Sequence, residues 1–266
     1  MPFFALLAGL SGYYLRLLEL WNVFDEITGL PRRGDKITFM LIAITIIFLI
    51  IAVVFVIHVK RKYTSPRGFE NAFGTEPLAF PLMFFIIGII WLGATVKYFL
   101  DIRATGTIPL SESVFSILSA LSAVSTALFA VEVYQDPRRK TKLALSVVPT
   151  LFMCFWLILL YKQNASNPVL LRYCYYCLAI IASALGFYFT SGFVYNRPAP
   201  CKAVFSFFAA IYFSFVTLAD EHEMSVKVIF IAIIAINFIY SSMLIRNLQK
   251  VSARKEDKDS NPELAE

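Results

Sequence analysis

Apolar side chains in this chain come in long blocks separated by short polar connections. Seven blocks meet the spanning criterion, at residues 37–57, 78–96, 113–131, 143–161, 169–195, 203–219 and 228–245. A helix rises about 1.5 Å per residue and needs about 20 apolar residues to cross the hydrocarbon of a bilayer. In that medium every backbone N–H and C=O must be paired within the structure. Blocks apolar on every face, such as 46–57, also lack the in–out alternation of a barrel strand. The pattern predicts an all-α fold, a polytopic transmembrane helical bundle, with residues 37–247 as a seven-helix domain.

Residues 1–36 read differently. Residues 3–14 are apolar, but Arg16, Glu19, Asn22 and Glu26 follow at three- and four-residue spacing, opposite Leu17, Leu18, Leu20, Trp21, Phe24 and Ile27. Such a stripe predicts an N-terminal amphipathic helix lying in, or partly inserted through, the membrane interface; an eighth span is the alternative. Gly29 and Pro31 supply its stop signal. There is no basic stretch or cleavage site of a secretory signal before Arg16.

Composition agrees with the pattern. Of the 266 residues 59% are hydrophobic and 16% charged, against about 25% charged in soluble domains. Mean hydropathy is +0.71. The net charge of +6 is explained by basic loops on the cytoplasmic side rather than by nucleic acid. Lys60, Arg61, Lys62 and Arg138, Arg139, Lys140 fall on one side, and the acidic run Asp220-Glu221-His222-Glu223 falls on the other. The positive-inside rule then puts the C-terminus in the cytoplasm of a cell-membrane protein, with residues 248–266 as a polar, disordered tail. Lipid is the expected partner.

The central parts of the seven spans contain no Asp, Glu, Lys, Arg or His. A proton-coupled pump or a voltage sensor needs such groups at depth, and a retinal protein needs a lysine inside a helix, whereas Lys227 sits at the mouth of the last span. No HExxH, GxSxG or phosphate-binding glycine loop appears, so neither an enzyme nor a cofactor is expected.

The candidate chemistry is polar and uncharged. The third span carries Ser113, Ser116, Ser119, Ser122 and Ser125 among alanines, a pattern of close helix packing or of a hydroxyl-lined groove. Asn237 is the deepest amide and needs a partner from another helix, a water or a ligand. Tyr173 and Tyr176 suit the aromatic belt or a solute site beside it. Between them, Cys174 and Cys177 have CxxC spacing without a second pair or a redox-fold context. Lys97, Asp101, Arg103, Glu112 and the 220–223 run could form a charged outer rim, although no metal site is expected there.

The topology is similar to that of small sugar porters built from two parallel three-helix repeats and a linker helix. However, the chain has no Pro-Gln dipeptide, its first span has no proline, and the first three spans show no similarity to the last three. The stretch Leu15–Pro31 resembles the N-terminal part of bacterial multi-pass proteins to which no activity attaches, which implies a bacterial inner membrane and nothing about chemistry. The leading expectation is a protein that binds or passes a neutral or weakly polar small solute, without proton coupling, using Asn237, Ser119, Ser122, Tyr173 and Tyr176 between the third, fifth and seventh spans. The alternatives are a non-catalytic subunit that docks a partner protein through the third span or the basic loops, and a membrane receptor.

Overall fold

The computed structural model describes residues 1–24, 35–64, 69–74, 79–104, 106, 109–135, 141–165 and 169–250. Among these the chain forms helices α1 (Pro2–Asn22), α2 (Lys36–Lys62), α3 (Phe69–Phe73), α4 (Ala79–Ala104), α5 (Leu110–Gln135), α6 (Thr141–Asn164), α7 (Leu170–Val194), α8 (Pro200–Thr217) and α9 (Met224–Arg246). All except α3 are long and apolar enough to cross a membrane, which makes eight candidate spans among the described residues. The tail 251–266, the stop signal at Gly29 and Pro31, and the basic run Arg138–Lys140 lie outside the described residues.

Helices α4 to α9 pack each on the next, and α9 returns onto α4, closing a ring of six. The remaining pair, α1 and α2, packs on the outside of α8. This leaves α8 covered on nearly every side, and its apolar residues serve protein contacts rather than lipid. Since lipid is as apolar as these side chains, the contacts are held by close packing and interhelical hydrogen bonds rather than by exclusion of water. Phe115, Phe152, Trp156 and Phe230 stack through the ring interior. Thr45 Oγ1 meets the Tyr212 hydroxyl at 2.8 Å, tying α2 to α8. Pro149 sits inside α6, and nearby the Ser191 hydroxyl donates to the Ser146 carbonyl at 2.6 Å.

The N-terminal helix departs from the interfacial reading. Its buried residues are Ala5, Gly9, Gly12, Arg16 and Glu19, spaced four and three apart on one stripe that faces α8. A Cβ on Gly9 would lie 2.9 Å from Phe215 Cβ, and one on Gly12 2.7 Å from Val216 Cγ2, so only glycine allows the two backbones this close. The large apolar residues point outward instead, with Phe3 70% and Leu7 67% exposed. The helix is therefore apolar on its lipid side and small or charged on its protein side. Of the stripe expected to lie in the interface, Arg16 and Glu19 face the bundle, Asn22 is exposed, and Glu26 lies outside the described residues.

The connection after α2 contains the short helix α3. Its Phe73 packs edge-on against Phe193 and Tyr240 and closes one end of the ring. Asn247 Nδ2 donates to the carbonyls of Ala72 and Gly74, holding α3 against the end of α9. With the spans alternating in direction, the start of α1 lies at this end, with Phe3 against Phe238.

Candidate functional site

At the opposite end, the last turn of α1, the first turns of α2 and α7, and the α8–α9 connection converge on Arg16. The side chain is fully buried, and three of its nitrogens are committed. Nε donates to Asp220 Oδ1 at 2.8 Å, Nη1 to Glu19 Oε2 at 2.6 Å, and Nη2 to the Arg172 carbonyl at 2.9 Å. The guanidinium also sits over the rings of Tyr175 and Phe24, at 5.4 and 5.9 Å. The second oxygen of Glu19 accepts from the Thr38 hydroxyl at 2.8 Å. One arginine thus ties four elements together through charge-assisted bonds, which are shorter and stronger than neutral ones.

Asp220 in turn orders the connection. Its Oδ2 accepts from Thr217 Oγ1 at 2.9 Å, and its own backbone carbonyl accepts from the His222 amide at 2.8 Å. Burial pushes the Asp220 carboxyl up, and the Arg16 charge and hydrogen bond oppose that rise. The His222 ring is pushed down to about 4 by burial and by the nearby cations Lys227 and Arg16, so it is neutral at pH 7. Its Nε2 is 3.1 Å from Thr217 Oγ1. Because that hydroxyl gives its hydrogen to Asp220, it accepts from His222 Nε2–H, and the network assigns Nδ1 as the bare acceptor.

Thr217, His222 and Asp220 are residue types found in nucleophilic triads, but their geometry differs. Both the hydroxyl and, at 3.9 Å, the carboxylate face the same nitrogen, whereas a triad places them on opposite ring nitrogens. Thr217 is also fully buried, out of reach of a substrate. The arrangement orders a loop and presents a neutral ring.

Beside this network lies a cleft of about 570 Å³. Leu17, Leu20, Trp21 and Phe24 of the α1 region form its apolar side, with Leu160 of α6. Gln163, Asn164, Arg172, Tyr173, Tyr176 and the 219–222 turn form the polar side. Each charged lining group has an opposite partner: Asp220 has Arg16, and Arg172 Nη2 stands 3.7 Å from Glu221 Oε2. Tyr176 is held by Trp156 Nε1, which donates to its hydroxyl at 2.8 Å, and by the His222 ring, whose centroid is 4.4 Å away.

Of the five residues expected to bind a solute, the structure brings Tyr173 and Tyr176 to this cleft and leaves three elsewhere. Ser119 accepts from Trp91 Nε1 at 3.0 Å and meets Thr95 Oγ1 at 2.7 Å between α4 and α5. Ser122 donates back to the Leu118 carbonyl at 2.8 Å. Asn237 donates to the Ile233 carbonyl at 2.8 Å, and its Oδ1 is buried with no partner. The groove imagined between the third, fifth and seventh spans is interrupted because α6 packs between α5 and α7. The small-residue face of α5, offered to a partner protein, is covered within the chain: Ser116, Ser119, Ser122 and Ala123 are buried, while Ile117 and Leu121 face outward.

The outer rim is partly assembled. Glu112 accepts from Tyr98 at 2.5 Å and from Gln163 Nε2 at 3.1 Å, while Lys97 and Asp101 form an exposed pair at 3.8 Å. Among the described residues, no group of His, Cys, Asp and Glu is placed to hold a metal. Cys174 and Cys177 are not joined in a disulfide. Sequence reading missed the pairing of Arg16 with Asp220 and the role of Trp21, Gln163 and Asn164. The available signal was an Arg and a Glu inside an apolar run, which in a span marks a buried partner. No family model, no curated protein and no solved structure matches this chain.

Proposed function

We propose that the cleft beside Arg16 binds a small neutral or weakly polar solute at the outer face of a bacterial cytoplasmic membrane, without catalysis and without proton coupling. The observation that carries this reading is a cleft of about 570 Å³ with one apolar side, one hydrogen-bonding side, and every charged lining group already paired. Among the described residues each charged group at the site already faces an opposite charge, and the contacts left for a ligand are hydrogen-bonding ones. It offers Tyr173 and Tyr176 hydroxyls, the amides of Gln163 and Asn164, and the His222 ring to a ligand that hydrogen-bonds. Buried charge exists after all in the N-terminal span. Among the described residues it is confined to one end, and no Asp, Glu, Lys, Arg or His continues from Glu19 through the middle of the bundle, which supports binding rather than proton relay. The basic connections at the α3 end support a cytoplasmic C-terminus.

The test is a titration of the protein in lipid nanodiscs with size-matched neutral, zwitterionic, cationic and anionic solutes, read by the fluorescence of cleft-lining Trp21. The expected outcome is saturable binding of neutral members that Tyr173→Ala weakens and Asn237→Leu leaves alone. Binding restricted to ionic members, or indifferent to Tyr173→Ala, would overturn the reading.

A further inference from the structure

A second groove lies on the lipid-facing side of the bundle at the other end, far from the Arg16 network. It has a volume of about 350 Å³ and is walled by α2, α7 and α8. From α2 come Val53, Val56 and Ile57, and from α7 Leu185 and Phe189; Phe205 of α8 forms the floor. Val53, Ile57 and Leu185 are 43%, 46% and 43% exposed, so the groove opens to the surroundings of the spans rather than into the bundle.

Its polarity is confined to one end. Positions 53, 56, 57 and 60 share a face of α2 at helical spacing, so the apolar wall runs directly into Lys60 on the last turn. On α8, Lys202 lies one turn before Ser206 and lines the mouth. Cys201, the residue next to Lys202, also lines the groove, and the last turn of α2 and the first turn of α8 put Lys60 and Lys202 at the same end of it. Both lysines are exposed and, among the described residues, neither has an ion-pair partner. The first turn of α8 adds uncapped amides, since its N-cap Ala199 has no side chain to bond them.

We propose that this groove is a binding site for an anionic phospholipid, one acyl chain lying against Leu185, Phe189 and Phe205 and the phosphate held between Lys60 and Lys202. Charge complementarity at a fixed depth selects this occupant. An apolar slot facing lipid would take any acyl chain, but Lys60 and Lys202, without an ion-pair partner among the described residues and on the end with the basic connections, discriminate for a negative headgroup. A neutral phospholipid gains the slot and gives nothing to the lysines.

The experiment uses the full chain in maltoside micelles, with dioleoyl phosphatidylglycerol or dioleoyl phosphatidylcholine added at equal concentration. Retained lipid is counted by native mass spectrometry. The expected result is preferential retention of phosphatidylglycerol by the wild type. The preference falls about fivefold for each of Lys60→Gln and Lys202→Gln, and Leu185→Trp, which fills the slot, lowers retention of both lipids. Lys97→Gln, at the opposite end, leaves the preference unchanged. Because all four positions are exposed, the variants are first matched for thermal unfolding in lipid-free micelles. Equal retention of the two lipids by the wild type overturns the proposal. So does a preference that survives Lys60→Gln/Lys202→Gln, or a dimer that covers Leu185 and excludes lipid.

Discussion

Arg16 Nε and Asp220 Oδ1 stand 2.8 Å apart although 204 residues separate them in the chain. The bond joins the first span to the connection between the last two, so the N-terminal helix is fastened by charge to a bundle whose other helices are fastened by packing. Removing one member of a buried pair strands the other charge, at a cost of about 3–5 kcal/mol. Arg16→Met, which leaves the Glu19 and Asp220 carboxylates buried without their cation, is expected to lower the thermal midpoint of the purified protein strongly. The triple variant Arg16→Met/Glu19→Gln/Asp220→Asn, which strands nothing, recovers much of that loss. Equal loss in the single and triple variants would show that the pair itself is not what holds α1.

Acidification separates the histidine from its neighbours. His222 titrates near 6.5 when unfolded and near 4 when folded. Between those values the unfolded chain binds the extra proton, so stability falls as pH drops from about 6.5 to about 4, by up to about 3 kcal/mol. Asp220, whose carboxyl burial pushes up, acts in the opposite sense, since the folded form takes its proton more readily. The measurement is the unfolding midpoint from pH 7 to 4 for wild type and His222→Gln. The wild type should lose stability more steeply through pH 6 to 5, and identical slopes would remove the histidine from the account.

Asn237 and Gly186 form a tight contact between α9 and α7. A Cβ on residue 186 would sit 2.7 Å from Asn237 Oδ1, so Gly186→Ala is expected to destabilise by about 1–3 kcal/mol through overpacking. Asn237→Leu removes a buried oxygen without a partner and should cost little or even stabilise. Truncation of Asn237 to alanine removes the clashing atom, so Gly186→Ala/Asn237→Ala should be less damaged than Gly186→Ala. Unfolding midpoints of the three variants decide this.

The α4–α5 contact depends on a small residue in the same way. A Cβ on Gly88 would lie 2.9 Å from Ala127 Cβ and 3.1 Å from the Ala123 carbonyl, and backbone cannot move aside as a long side chain can. Gly88→Val should therefore loosen α4 from α5 and raise proteolysis in the 105–109 connection, whereas Gly93→Val, which meets nothing within 4 Å, should not. Susceptibility equal to wild type in both variants would show that close approach there is dispensable.

Eight alternating spans place the start of α1 and the end of α9 on one side. With native cysteines replaced, Lys62→Cys and a cysteine at position 1 should be shielded from an impermeant maleimide in intact cells. Lys97→Cys should react. Labelling at positions 1 and 62 on opposite sides would restore the seven-span topology.

What could be read from the sequence follows from solvent. A block of some 20 apolar residues has one low-energy form in hydrocarbon, so the seven long spans, the all-α class and the distribution of charge between the two ends are legible from composition alone. The direction in which a helix faces is not, because lipid and protein interior are equally apolar. Arg16 and Glu19, three residues apart, read equally well as part of the wet face of an interfacial helix or of the packed face of a span. Only the presence of Asp220, Thr38 and the Arg172 carbonyl around Arg16 decides for the second. Likewise Tyr173 and Tyr176 were legible as a polar rim, but Ser119, Ser122 and Asn237 could not be separated from it. Whether three helices meet depends on the order of packing, and α6 stands between two of them. Secondary structure here is a local response to the bilayer; the site is made by contacts across 204 residues, which no local pattern encodes.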